Sequence, residues 1–378
     1  MHLLPCCEPR QHEPGTEYLP LRPAPVDSTA LWDVHKPLWG THKEWEIELA
    51  GPSVTQRCDR GHSGNMLAIV SPGQGAQKPG FLGPWLEDAS FAAHLNWLSA
   101  VANMDLAEHG TVSDEATIKD TAVAQPLLVA AALATGWAVK DDFFPQADMI
   151  AGHSVGEIAA GAGAGAFSPE AAMVLVRERG RAMAEAAAVT KTSMTAVIGG
   201  QPDEVLAAIE KHGLTPANHN GKGQIVAAGT VEQLEAFAAE PPARTRLFPL
   251  SVAGAFHSVH MEPAVDHLRS VAAAMPTSSS LSTTLLSDLD GAVVTDGRDF
   301  ADRLVAQVAQ PVRWDLVMQT MASRGITGMI ELAPAGTLTG IAKRNLKGVE
   351  LFNLNTPDQL EDARAFAAVH SHKTPETA

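Results

Sequence analysis

Apolar positions along the chain follow two rhythms, divided by glycine, proline and polar punctuation. The first is the short unbroken run. Met66 to Val70 (MLAIV) ends at the glycine-rich SPGQGAQ, as a buried parallel strand entering a loop does. Asp148 to Ala151 leads in the same way into a serine turn, and TTLLSDL (Thr283 to Leu289) and GMIEL (Gly328 to Leu332) add two later runs. The second rhythm is helical, and QPLLVAAALATGWAV from Gln125 reads as a buried helix. Strands alternating with helices predict an α/β fold around a parallel sheet.

Between Ser193 and Val252 the order changes. MTAVIG, PDEVLAAIEKHG, LTPANHN, GQIVAAG, TVEQLEAFAAE and TRLFPLSV spell β-α-β-β-α-β, the split βαβ or ferredoxin-like unit, with Thr230 followed by Glu232 and Gln233 offering a cap for its second helix. These segments predict a small domain at 190–255, inserted between two parts of a larger α/β domain at 66–189 and 256–366. Residues 1–65 are foreign to this texture: they are proline-rich, lack a sustained period, and hold Trp32, Trp39, Trp45, the only tyrosine and all three cysteines. A poorly ordered extension is expected there, explained by a start codon chosen upstream of Met66; a docking segment built on the tryptophans is the alternative. Residues 367–378 read as a polar tail.

Charge and cysteine usage narrow the function classes. A net charge of -16 and a pI near 5.3 argue against nucleic acid or an anionic membrane as the main partner, either of which needs an extended basic face. With Cys6, Cys7 and Cys58 all near the start, the remainder has no disulfide, thiolate metal site or catalytic cysteine, which suits the cytoplasm. No apolar run is read as reaching the length of a membrane span, and no secretory signal is read at the N-terminus.

The stretch MIAGHSVGEIAAG contains G-x-S-x-G at Gly152 to Gly156, where a strand meets a helix. Such a turn forces Ser154 into an exposed, strained position, and helix N–H groups then face any negative charge forming beside it. The same letters also suit a small residue in a tight turn, and both readings stand on the motif alone. A nucleophilic serine needs a base. His257, in VAGAFHSVHM, falls where the small domain returns to the large one, a usual border of a cleft. His219, His260 and His267 are weaker candidates, and His153 is expected to be structural. Gly73-Gln74-Gly75 lets the backbone approach a ligand and lacks the spacing of a nucleotide loop. Arg179, in VLVRERGRAM, is either part of a charged face with Arg177, Glu178 and Arg181 or a bidentate clamp for a substrate carboxylate. The helix's apolar face is read as Met173, Val174, Val176 and Met183.

SPGQGAQ, QPLL, GHSVGE, VRERGRAM, NHNGKGQIVAAG, AFHS, QVAQPVRW and ELAPAGTLTG occur in the order and spacing of the malonyl-CoA:acyl carrier protein transacylases, the acyltransferases of fatty acid and polyketide synthesis. The chain resembles that family from Met66 to about Asn355. The resemblance implies an α/β-hydrolase-like large domain with a ferredoxin-like insertion, Ser154 as acylated nucleophile and His257 as its base. It implies an oxyanion hole from the N–H groups of Gln74 and Val155, a main-chain carbonyl at Gln307 orienting the histidine, and Arg179 on the malonyl carboxylate. Gln125, Asn220, Phe256 and Met183 match other substrate-binding positions. Ser71 and Ala76 depart from the family's usual aromatic residue and serine.

The implied activity is [acyl-carrier-protein] S-malonyltransferase, with malonyl-CoA and acyl carrier protein as partners, no metal or bound cofactor, and a monomeric chain. One rival is a serine hydrolase, whose patatin-like form would use a D-G-[GA] aspartate such as Asp290; that segment reads better as a hairpin turn. A non-catalytic carrier-binding homologue is the other rival, disfavoured by the joint presence of serine, histidine and arginine.

Overall fold

The computed structural model describes residues 64–141 and 143–372; residues 1–63, the bulk of the expected extension, lie outside the described residues. In chain order the strands are β1 (Leu67–Ser71), β2 (Met149–Gly152), β3 (Thr192–Gly199), β4 (Thr215–His219) and β5 (Gln224–Thr230). They continue with β6 (Thr245–Pro249), β7 (Thr284–Leu286), β8 (Val293–Val294), β9 (Gly328–Glu331) and β10 (Glu350–Asn353). Six of them form one sheet in the order β10-β9-β1-β2-β7-β8. All its pairings are parallel except the β7–β8 hairpin. The apolar runs of β1, β2 and β9 are buried at every residue, as strands covered on both faces must be.

Two long helices carry parts of the site. Thr121–Val139 starts a turn before Gln125, because the Asp120 side chain accepts from the Ala122 N–H and caps it there. It packs on Pro169–Val189. A Cβ at Gly180 would lie 2.9 Å from the Thr121 carbonyl oxygen, so glycine lets the two helices close and draws the neighbouring Arg179 into the interior. Val174 corrects the apolar face expected for Pro169–Val189: it is 37% exposed while Met173 is buried, one residue being a 100° rotation. Thr121–Val139 is also long and apolar enough to cross a membrane, contrary to the reading of run lengths, but it is mostly buried inside the protein.

The remaining strands form an antiparallel sheet in the order β4-β5-β3-β6, with helices Pro202–Lys211 and Val231–Ala239 between β3 and β4 and between β5 and β6. Its alternation divides the two faces. Val197, Ile225 and Ala227 pack with Val205, Ile209, Leu234 and Phe237 of its own helices. Met194, Ala196, Val226 and Ala228 join the core of the larger body. Thr230 and Gln233 form a reciprocal capping box on the second helix. The polar tail expected from 367 needs correction: helix Leu360–His370 runs through that point and buries Ala367 and His370.

Candidate active site

The sharp turn after β2 is dictated by its glycines. A Cβ on Gly152 would overlap the backbone of Gly156 and Glu157, and one on Gly156 would overlap the Ser71 carbonyl. Ser154 between them has φ +54, the left-handed region that non-glycine residues rarely occupy. Pairing of Ser71 with Gly152 sets the Gly73-Gln74-Gly75 loop beside this turn, at the carboxyl ends of adjacent parallel strands.

Ser154 Oγ lies 2.7 Å from His257 Nε2. His257 Nδ1 lies 2.8 Å from the Gln307 main-chain carbonyl, which can only accept, so Nδ1 carries the proton and Nε2 is left to accept from the serine. Burial pushes the imidazole down to about 3; the Arg179 charge adds to this, and the Gln307 carbonyl opposes it. The imidazole is therefore neutral at physiological pH.

Arg179 is 2% exposed, which overturns its reading as part of a charged face. Its Nη1 donates to Gln125 Oε1 at 2.8 Å and its Nη2 to Gln307 Oε1 at 2.7 Å, with Nη2 also 3.4 Å from Ser154 Oγ. Burial lowers the guanidinium to about 10, resisted by the charges of Asp288 and Glu157, so it stays a cation. Gln125 Nε2 rests against Met183 Sδ at 3.4 Å.

A cleft of about 520 Å³ opens above these groups, lined by Gln74, Ser154, Val155 and His257, and by Gln125, Asn220, Phe256 and Met183. Among the described residues the N–H groups of Gln74 and Val155 have no acceptor. His153 also lines the cleft, bonded through Nε2 to Asn220 Oδ1 at 2.9 Å and set edge-on to Trp314. The other histidines fall elsewhere: His267 pairs with Glu178 at 3.1 Å, and His219 sits on β4. Asp290 belongs to the hairpin turn, binding the Ala292 N–H and Arg303.

Two buried carboxyl groups, Glu157 and Asp288, are missing from the sequence-based candidates. The Ser154 N–H donates to Asp288 Oδ2 at 2.7 Å, and the Asp288 N–H to Glu157 Oε1 at 2.7 Å. Gln307 Nε2 faces both, 2.6 Å from Glu157 Oε2 and 2.8 Å from Asp288 Oδ1. Burial raises both carboxyls, and the charge of Asp288 raises Glu157 further. The one available signal was Glu157 as the lone charge among the small and apolar residues of the helix Gly156–Gly163.

The family model described as "Acyl transferase domain" matches residues 69–369. A malonyl CoA-acyl carrier protein transacylase of Mycobacterium tuberculosis is 46% identical over 299 residues, covering 79% of this chain and 99% of that protein. The crystal structure of MCAT from Mycobacterium tuberculosis matches with a TM-score of 0.76 at 45% identity, over 79% of this chain and 99% of that one. A solved structure described as a type II PKS acyl-carrier protein in complex with its malonyl-transacylase matches at 27% identity and a TM-score of 0.74, covering 79% and 99%.

Proposed function

The chain belongs to the acyl transferase domain family and, within it, to the malonyl CoA-acyl carrier protein transacylases, and from that membership we propose how its own residues carry the reaction. The enzyme transfers a malonyl group from malonyl-CoA to the phosphopantetheine thiol of acyl carrier protein. The observation that carries the mechanism is the 2.7 Å contact of Ser154 Oγ with a neutral His257 held by the Gln307 carbonyl.

His257 Nε2 takes the hydroxyl proton as Ser154 Oγ attacks the thioester carbon, and the N–H groups of Gln74 and Val155 bind the oxyanion. The C–S bond then breaks, and coenzyme A leaves as the thiol with the proton from His257. In the second half the carrier's thiol gives its proton to His257 and its sulfur attacks the malonyl-serine ester. Ser154 leaves with that proton. No metal or bound cofactor enters either half. Arg179 meets the malonyl carboxylate, with Gln125, Asn220, Phe256 and Met183 shaping the rest of the pocket. A buried cation beside the nucleophile favours this reading over plain ester hydrolysis, which has no use for it.

The strand order β4-β5-β3-β6 supports reading the small sheet as a ferredoxin-like domain at about 190–255, inserted in an α/β-hydrolase-like body. We further take the enzyme to be cytoplasmic and monomeric. Intact-protein mass tests the function. Malonyl-CoA should add one malonyl group to the protein, and holo-carrier should then remove it; free malonate without an adduct would point to a hydrolase.

A further inference from the structure

Beneath Ser154, Glu157, Asp288, Gln307 and Arg179 form a hydrogen-bonded circuit that the reaction as described only partly uses, and each is 2% exposed or less. The Gln307 amide can face only one way. A guanidinium only donates, so Oε1 must point to Arg179, 2.7 Å away. Its Nε2 then faces acceptors alone: Glu157 Oε2, Asp288 Oδ1 and the Ser154 carbonyl at 3.2 Å. The same carboxyls are tied into the nucleophile's turn through the N–H groups of Ser154 and Asp288.

We propose that Glu157 and Asp288 form a proton-sharing carboxyl pair that fixes the Gln307 amide and, through it, holds Arg179 and His257 in register with Ser154. They act as positioning residues for acyl selectivity and touch no substrate atom. Two carboxyls this close and this deeply buried cannot both ionise. One shared proton leaves the pair with a single negative charge, which balances Arg179. Glu157 holds the proton, because burial and the neighbouring charge of Asp288 both oppose its ionisation. Asp288, accepting from the Ser154 N–H and from Gln307, is the charged partner. Without it the amide loses its anchor, rotates, and turns an N–H towards the guanidinium.

The proposal rests on the acyl-transfer reading, specifically on Arg179 meeting the malonyl carboxylate. Its test uses the full chain, with steady-state transfer from malonyl-CoA and from acetyl-CoA to holo-carrier. Asp288→Asn removes the charge and sets an NH₂ where Gln307 or Ser154 needs an acceptor. It should lower kcat/KM for malonyl-CoA by about tenfold or more and for acetyl-CoA far less, as expected when a carboxylate clamp is misplaced. Glu157→Gln keeps the Asp288 charge and a neutral donor to it, although its NH₂ replaces an acceptor of Gln307 Nε2, so the malonyl-to-acetyl preference should fall much less than in Asp288→Asn. The infrared difference spectrum between wild type and Glu157→Gln should show the carbonyl stretch of a protonated carboxylic acid.

Equal losses for both acyl groups in Asp288→Asn, or a loss of preference in Glu157→Gln as large as in Asp288→Asn, would overturn the proposal. If Asp288→Asn does not fold, the infrared band decides, and its absence overturns it. A wild-type enzyme that forms no malonyl adduct would instead sink the acyl-transfer reading, whereas the infrared result is independent of activity.

Discussion

Arg179 Nη2 lies 2.7 Å from the side-chain oxygen of Gln307, the same residue whose main-chain carbonyl orients His257. The group proposed to read the substrate and the group proposed to move the proton are therefore fixed to one backbone position. A shift at 307 reaches both.

Ser154→Ala should abolish adduct formation from malonyl-CoA, and His257→Ala should slow it by about a hundredfold or more, the usual loss when a general base is removed. Intact mass spectrometry over a time course reads both. Normal labelling of the position-154 variant would remove the basis of the mechanism.

Arg179→Ala should cut malonyl transfer sharply while sparing or raising acetyl transfer. A charge-assisted bond to a carboxylate in a buried site is worth about 1.5 to 3 kcal/mol, and acetyl-CoA offers no carboxylate to lose. Parallel kinetics with the two thioesters give the answer, and equal losses would assign the residue to the fold.

Phe256 is buried and lines the cleft. Phe256→Ser should mainly admit methylmalonyl-CoA, since a pocket separates substrates differing by one carbon by only about 1 to 3 kcal/mol. Competition between malonyl- and methylmalonyl-CoA measures the shift; an unchanged ratio would place the α-carbon elsewhere in the cleft.

The imidazole of His257 is held near 3, against 6.5 for an unperturbed histidine. Labelling of Ser154 by an uncharged fluorophosphonate should therefore stay level between about pH 8 and pH 5, with no fall centred near 6.5. Stability follows the same sign: the unfolded chain binds this proton below about 6.5 and the folded chain only near 3. The contribution is complete above 6.5 and declines as the pH falls, by at most about 1.4 kcal/mol per pH unit. A labelling rate that halves near 6.5 would show that the base is exposed to water.

Lys343, Arg344 and Lys347 are exposed at the end of a helix whose Ile341 lines the cleft, and Arg344 binds Gln224 on the same rim. If the carrier docks here through acidic side chains, reversing the charge of Lys343, Arg344 and Lys347 should raise its KM about tenfold at low salt, an effect that added salt erases. An unchanged KM at low salt would move the dock to another face.

Ser154 and His257 were legible because glycine spacing and motif order are local properties of the chain. Gln307 was legible only as a carbonyl; its side-chain role depends on Asp288, 19 residues away, and on Arg179 and Glu157, 128 and 150 residues away. Glu157 reads as an ordinary first-turn acid of a helix, and Asp288 lies in the turn after a strand. Nothing in either stretch signals that the other is near. Arg179 was legible through motif order, while its charged neighbours in sequence suited a surface face as well; its burial beside the close helix contact at Gly180 decides between the two readings. The helix start at Thr121 and the brief β8 and β10 were missed because a cap and two-to-four-residue strands leave little periodic trace.

The two-faced small sheet has a bearing on how acyl groups are chosen. Met194, Ala196 and Val226 both pack into the main core and line the cleft. Swinging that sheet outwards would strip a continuous apolar seam and expose it to water, at about 25 cal/mol for each Å². Packing of this seam therefore opposes widening of the cleft. On the proposed mechanism, this wall of the cleft adds a limit of size to the limit of charge set by Arg179: a longer acyl group would have to part a packed seam to enter.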